Sequence, residues 1–183
     1  MRRCIMKPRY WLTVVLFALI GILCISAPLV AGQLEDGIAA FDRGDFETAL
    51  RLLHPLAEQG NEVAQYGLGL MYYSGFGVPQ NRTKAARWYR RAAEQDFVDA
   101  QYAIGVMYMF GFGVRRDLVQ AYMWLSLVAA RLSELDDQQE AQKEAQDALE
   151  DVHERLNRVA AEMTPQQIDE AQALTAEWKP KKQ

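Results

Sequence analysis

The chain has 183 residues, half of them hydrophobic, and carries a formal net charge of −4. This length and composition suit one globular domain with a buried core. The acidic balance argues against binding to nucleic acid through general electrostatic attraction, which requires a surplus of Lys and Arg.

Residues 1–32 have the layout of a secretory signal peptide. Four basic residues precede an apolar run from Trp11 to Ile25, and small residues follow up to Gly32. This order predicts export, with cleavage after Ala31 or Gly32. The alternative is an uncleaved anchor, because residues 11–31 are long enough to span a bilayer. A membrane association is expected only through such an uncleaved leader.

Removal of the leader changes the chemistry of the chain. The leader holds four of the 20 basic residues and none of the 24 acidic ones, so the remaining chain carries −8. Both cysteines, Cys4 and Cys24, also lie in the leader. The exported chain therefore has no disulfide, and its fold has to rest on packing.

Residues 33–63 predict an atypical first helix pair. The two helices are expected at about residues 34–42 and 46–59, joined by the short loop DRGD. Gly60 has the position of a C-terminal cap glycine. This pair brings the number of units to three, about the number that a repeat protein needs to build a core.

Residues 64–99 and 100–135 are two copies of one unit. Identical residues recur at a constant offset of 36 residues, which indicates a supersecondary unit stacked on its own copy. Apolar residues at helical spacing on both sides of a glycine pair predict helix A, a loop and helix B. The repeated signature residues are Gly69, Tyr72, Gly75, Gly77, Ala85 and Trp88, then Gly105, Tyr108, Gly111, Gly113, Ala121 and Trp124.

The signature glycines are interpreted as structural. The two in each loop predict a turn that needs positive φ. Gly69 and Gly105 lie inside helix A, where they are expected to let the bulky Trp of helix B approach the backbone. Asn81 and Asp117 are the predicted N-caps of the B helices.

The pattern A-x3-L/I-G-x2-Y-x2-G-x-G-V-x2-N/D-x3-A-x2-W-x4-A over residues 64–131 resembles the Sel1-like repeat, an α/α relative of the tetratricopeptide unit. The resemblance implies an all-α fold, a right-handed α/α solenoid with a C-terminal helical cap. It also implies a non-catalytic adaptor that binds a protein or peptide partner in the bacterial cell envelope and regulates or assembles an envelope complex there. Together with the leader, it predicts a periplasmic or secreted protein, or one anchored in the inner membrane and facing the periplasm.

Residues 136–178 predict a long helix and a capping helix. A heptad-like seam on the long helix either packs on the last repeat or joins two chains, so a structural oligomeriser is an alternative function. Thr164, Pro165 and Gln167 have the pattern of a capping box at the start of the last helix. Residues 179–183 are expected to fray. The seam residues are Ala145, Leu149, Val152, Leu156, Val159 and Met163.

One strip on the A helices is the candidate partner-binding groove. Its residues recur at the 36-residue offset on the face turned away from helix B, and helix A lines the concave side of tetratricopeptide-like solenoids. The alternative is that the strip only packs neighbouring A helices together. The strip residues are Tyr66, Leu70, Tyr73, Tyr102, Val106 and Met109.

A basic face on helix B is a second candidate surface. Lys84, Arg87 and Arg91 share one side of the helix, which suits an acidic partner segment or anionic lipid heads. The alternative is an ordinary solvated helix face.

The sequence indicates no catalytic residues, no metal site and no cofactor. His54 and His153 stand alone on different predicted helices, and no nucleotide-binding or hydrolase motif is present. A hydrolase is kept as an alternative because a few Sel1-like proteins have been credited with such activity. The sequence leaves the partner and the oligomeric state open.

Overall fold

The computed structural model describes residues 32–135 and 142–181. The expected leader therefore lies almost entirely outside the described residues. Within the described residues the chain forms eight α-helices and no strand, which confirms the all-α class. None of these helices combines the length and the hydropathy that a membrane crossing requires. The helices are α1 (32–42), α2 (Phe46–Glu58), α3 (Glu62–Ser74), α4 (Arg82–Ala93), α5 (Val98–Phe110), α6 (Leu118–Leu135), α7 (Gln142–Ala161) and α8 (Pro165–Glu177).

The first six helices form a solenoid of three pairs, α1–α2, α3–α4 and α5–α6. The A helices are α1, α3 and α5, and the B helices are α2, α4 and α6. The A helices α3 and α5 also pack against the B helix of the preceding pair, so the core runs from pair to pair without a break. Ala85 and Ala121, at equivalent places in α4 and α6, are fully buried. Their small side chains allow the helices to approach closely.

Two buried glutamines tie each pair to the one before it. The Nε2 of Gln65 donates a hydrogen bond to the carbonyl oxygen of Ala57 at 3.0 Å, and the Nε2 of Gln101 donates to that of Ala93 at 3.4 Å. Both acceptors lie in the last turn of a B helix, where carbonyl groups have no partner within the helix. The glutamine of one repeat therefore caps the C-terminal end of the B helix in the preceding repeat.

The glycine loops form the second link between pairs. A Cβ on Gly77 would lie 2.7 Å from the Cβ of Phe46, and a Cβ on Gly113 would overlap the backbone carbonyl of Arg82. Phe46 and Arg82 are the first residues of α2 and α4. Each loop thus rests on the start of the preceding B helix. All four loop glycines have φ between 67° and 80°: Gly75, Gly77, Gly111 and Gly113.

The aromatic residue between the loop glycines packs on the same helix start. The ring of Phe76 stacks on the ring of Phe46 with centroids 4.7 Å apart. In the next repeat the guanidinium of Arg82 lies 4.8 Å from the centroid of Phe112. A flat group therefore packs on the loop phenylalanine in both repeats. It is an aromatic ring at Phe76 and a guanidinium at Phe112.

The expected role of Gly69 in admitting a Trp is wrong. The ring of Tyr89, and not that of Trp88, occupies the space that a Cβ on Gly69 would enter. Successive residues of a helix point about 100° apart, so Trp88 turns into the core with α2 while Tyr89 faces α3. At Gly105 the neighbours are Leu125 and the Cβ of Trp124.

The heptad-like seam is buried at Val152, Val159 and Met163, whereas Ala145, Leu149 and Leu156 are half-buried. Val152 and Val159 are 2% and 1% exposed, and they pack with residues of α5, α6 and α8. Helix α7 is therefore a cap on the last repeat. The buried seam positions are not available for a coiled coil with a second chain, which argues against an oligomeriser that depends on them.

The end of the chain does not fray at residues 179–181 as expected. Lys181 donates its backbone N–H to the carbonyl oxygen of Glu94 at 2.7 Å, and its ammonium lies 2.9 Å from the Glu94 carboxylate. Trp178 packs against Trp124 with ring centroids 6.3 Å apart. These long-range contacts hold the segment against α4 and α6. Residues 182–183 lie outside the described part of the chain.

We expect Gly113→Ala to destabilise the protein more than Gly44→Ala. Both glycines have positive φ, which costs a side chain about 1 kcal/mol, but a Cβ on Gly44 meets nothing within 4 Å. The collision with Arg82 should add roughly 1–3 kcal/mol. Free energies of unfolding from urea titration measure the difference. Equal losses would show that the loop does not bear on the preceding repeat.

Candidate partner-binding groove

Five of the six strip residues come together around one cavity on the face of the A helices. The cavity has a volume of about 230 Å³ and lies between α3 and α5. Tyr89 from α4 closes its floor and is 3% exposed. We call this cavity the A-helix groove. It is lined by Tyr66, Leu70, Tyr73, Tyr102 and Val106 of the strip, with Tyr89, Asp99, Ala103 and Met107.

The five strip residues are half-buried, so the groove is neither a closed core nor a free surface. Tyr66 packs on Tyr89 and on Phe97, with ring centroids 5.6 Å and 5.2 Å away. These contacts fix the rings while leaving part of their area open to solvent. The side chains pack neighbouring helices together and also present an apolar surface.

Met109 does not line the groove, and its prediction as a groove residue is wrong. It is 3% exposed and packs in the cluster that α6, α7 and α8 build around Val152 and Val159. Its counterpart Tyr73 belongs to an inner repeat. The position is buried in the last repeat because the capping helices cover that end of the solenoid.

In the part of the chain that the structure describes, Asp99 is the one charged residue that lines the A-helix groove. Burial raises the pKa of Tyr66, and the negative charge of Asp99 raises it further. Burial also raises the pKa of Tyr89, far above the ordinary value of a phenol. Tyr66 and Tyr89 therefore remain neutral hydrogen-bonding groups at physiological pH.

Tyr102 links the groove to the capping helix α7. Its hydroxyl donates a hydrogen bond to Asp151 at 2.7 Å, and Arg155 donates to the same carboxylate at 2.8 Å. The hydrogen bond from Arg155 is the largest cause of the lowered pKa of Asp151. Sequence patterns missed this cluster because Asp151 lies 49 residues from Tyr102 in the chain.

The groove continues into a second cleft, of about 250 Å³, between α5, α6 and α7. Asp99 and Tyr102 line both spaces. Val98, Val128 and Val152 add an apolar wall on the far side. An extended chain could therefore lie over both.

The basic face forms a separate pocket on the side of the B helices. Its volume is about 350 Å³, and it lies between α2 and α4. Arg91 pairs with Glu58 at 3.2 Å and lies 4.7 Å from the ring centroid of Trp88. We call it the B-helix pocket. Its lining residues are His54, Glu58, Tyr72, Lys84, Arg87, Trp88 and Arg91.

The signature residues mostly hold the repeats together. Trp88 and Trp124 are 9% and 5% exposed. Tyr72 and Tyr108 are half-buried, and the Tyr108 hydroxyl accepts a hydrogen bond from Arg90. Tyr72 and Trp88 also reach a surface, since both line the B-helix pocket.

Metal-ligating side chains are not gathered anywhere in residues 32–135 and 142–181. No group of three or more His, Cys, Asp or Glu residues there is placed to hold a metal ion. His54 and His153 lie on different helices, α2 and α7. The ring of His54 instead meets the edge of Trp88 at 6.1 Å.

The sequence profile of the Sel1 repeat matches residues 32–61, 63–97 and 98–131, which together make up more than half of the chain. The chain belongs to the Sel1 repeat family. The first helix pair, with its short loop, is thus a third Sel1 repeat. Proteins of this family typically mediate protein–protein interaction.

Two solved structures share the fold. One is a protective antigen present in uropathogenic Escherichia coli strains that displays an SLR fold, with a TM-score of 0.65 and 28% identity. The other is a Sel1 repeat protein from Oxalobacter formigenes, with a TM-score of 0.52 and 33% identity. The alignments cover 81% and 54% of this chain but only 29% and 41% of those proteins. No curated protein matches the chain.

We expect stability to fall above about pH 10, partly because of Tyr89. An unfolded tyrosine has a pKa near 10, and the pKa of Tyr89 is raised in the fold. The unfolded chain therefore loses its proton first, and stability present below pH 10 is lost as the pH rises. Unfolding midpoints at pH 8 and pH 11 should show a smaller fall for Tyr89→Phe than for the native chain. An identical fall would show that Tyr89 titrates normally.

Proposed function

We propose that this Sel1 repeat protein is a non-catalytic adaptor whose A-helix groove binds an apolar segment of a partner protein in the bacterial cell envelope. The observation that carries the proposal is the convergence of five half-exposed strip residues on one cavity. Tyrosine side chains supply a large contact area with few rotatable bonds, and residues of this kind dominate the binding energy of protein interfaces.

The size of the groove favours a protein partner over a small molecule. Pockets for small ligands and cofactors are about 300–1,000 Å³, whereas the A-helix groove measures about 230 Å³. A space of this size suits one or two side chains of a longer segment. The adjoining cleft at α7 lengthens this surface, so that further residues of such a segment have a place to bind.

The envelope location is supported by the leader. Its basic start, apolar run and small residues have the order that export signals need. We place the exported chain in the periplasm or outside the cell. In the alternative, the leader stays as an inner-membrane anchor and the repeats face the periplasm.

The hydrolase alternative has less support than the adaptor. The described residues do not gather a metal-binding group, and the sequence contains no G-x-S-x-G nucleophile motif. The groove residues are explained by binding to a partner protein, and no catalysed reaction is needed to account for them. We therefore assign no catalytic residue.

The groove is tested by filling it. Ala103→Trp places a large ring in the cavity, so we expect about a tenfold or greater loss in the proteins captured from an envelope extract. Ile38→Trp is the matched control, because it adds the same ring at an exposed position of α1. Circular dichroism and thermal midpoints check that both variants fold. Unchanged capture by a folded Ala103→Trp protein would remove the groove from the proposal.

Export is tested by the mass of the native protein. Cleavage predicts an N-terminus at Gly32 or Gln33, and an anchor predicts an intact Met1 in the membrane fraction. An intact Met1 in a soluble cytoplasmic fraction would contradict both forms of the location.

A further inference from the structure

The B helices form two equivalent spaces, and the chain itself fills one of them. Between α4 and α6, Trp178 packs against Trp124, and Lys181 pairs with Glu94. The backbone has left the helix here: Trp178 has φ −64° and ψ 138°, and the Lys181 N–H reaches the carbonyl oxygen of Glu94. An extended segment can therefore occupy this kind of space.

The B-helix pocket is the same space one repeat earlier. Trp88 and Glu58 stand 36 residues before Trp124 and Glu94, and both line the pocket. Within the described part of the C-terminal segment, none of residues 178–181 lines it. About 350 Å³ remains open between α2 and α4, where the edge of His54 meets Trp88.

The charges of the two spaces differ. Lys84, Arg87 and Arg91 of the open pocket correspond at the 36-residue offset to Gln120, Met123 and Leu127. Met123 and Leu127 pack in the cluster that Trp178 covers. The second repeat therefore packs the same Trp without any of the three cations, which shows that the repeat fold does not require them.

The cations of the open pocket are only partly neutralised. Among the residues that the structure describes, Glu58 is the one carboxylate in the lining, and it pairs with Arg91. Within the described residues, neither Lys84 nor Arg87 has a carboxylate within 4.0 Å. The Lys84 ammonium lies 5.1 Å from the ring centroid of Tyr72 and makes a cation–π contact with it.

We propose that the B-helix pocket is a second binding site, which takes an extended acidic segment of a partner protein. A carboxylate of that segment pairs with Lys84 and Arg87, which share one face of α4 at a spacing of three residues. A neighbouring apolar side chain packs at Trp88, as Trp178 does at Trp124. Three cations against one carboxylate make the pocket positive in a chain whose net charge is −4, so complementary charge selects the occupant.

This site is independent of the A-helix groove, because it lies on the other side of the repeat and shares no lining residue with it. Loss of one surface should therefore leave binding at the other unchanged. The groove variant Ala103→Trp serves as a control in the experiment.

The test is a selection of random eight-residue peptides displayed on phage against the full chain. We expect the native chain to enrich peptides with Asp or Glu beside an apolar residue. Lys84→Gln combined with Arg87→Gln should weaken the binding of selected peptides about tenfold or more. Arg43→Gln combined with Lys143→Gln removes the same charge from exposed positions elsewhere and should have little effect, as should Ala103→Trp. Thermal midpoints confirm that each variant is folded.

The proposal is overturned if the selected peptides are not acidic, or if acidic peptides bind the Lys84 and Arg87 variant as well as the native chain. Vesicles containing phosphatidylglycerol test the lipid source of negative charge. If the chain binds these vesicles through Lys84 and Arg87, and the selection yields no acidic peptides, the pocket is assigned to a membrane surface. If sedimentation shows that the native chain self-associates and that the Lys84 and Arg87 variant does not, the pocket is assigned to a second copy of the chain.

Discussion

The contact on which the solenoid depends is the close approach of each glycine loop to the start of the preceding B helix. Gly77 meets Phe46, and Gly113 meets Arg82. The second contact repeats the first one 36 residues later in the chain. A side chain in the loop would push the repeats apart, and the positive φ disfavours any residue but glycine. The buried glutamines that cap the B helices add a second link with the same period. Together they set how far one repeat lies from the next.

This stacking creates the two candidate surfaces at once. Placing α3 beside α5 leaves the A-helix groove between them, and placing α2 beside α4 leaves the B-helix pocket. The groove is lined mainly by tyrosines and aliphatic side chains, whereas the pocket carries three cations, of which Lys84 and Arg91 lie over aromatic rings. One repeat pair therefore offers an apolar surface and a basic surface on opposite sides. In the adaptor role that we propose, the two faces would hold two different segments, each selected by its own chemistry.

The end of the solenoid shows how a repeat protein terminates these surfaces. In the last repeat α7 buries Met109 at the position that Tyr73 holds in the groove. On the other side, Trp178 and Lys181 cover the space that stays open one repeat earlier. Terminal repeats need such covers because their apolar faces lack a next repeat to pack on. The capping segment thus covers Met109 on the A-helix side and the space between α4 and α6 on the B-helix side.

The sequence by itself determined the family, the helix pairs and much of the groove. The period, the loop glycines and the alternation of apolar residues are local properties, so they identify which face of each helix is apolar and where each helix stops. They could not show what covers that face. Met109 is buried, Tyr89 replaces Trp88 at Gly69, and Lys181 docks on Glu94, because segments that do not follow the repeat pack against it. Periodicity describes a residue relative to its own helix, whereas burial depends on neighbours that lie far away in the chain, and only the tertiary structure decides those.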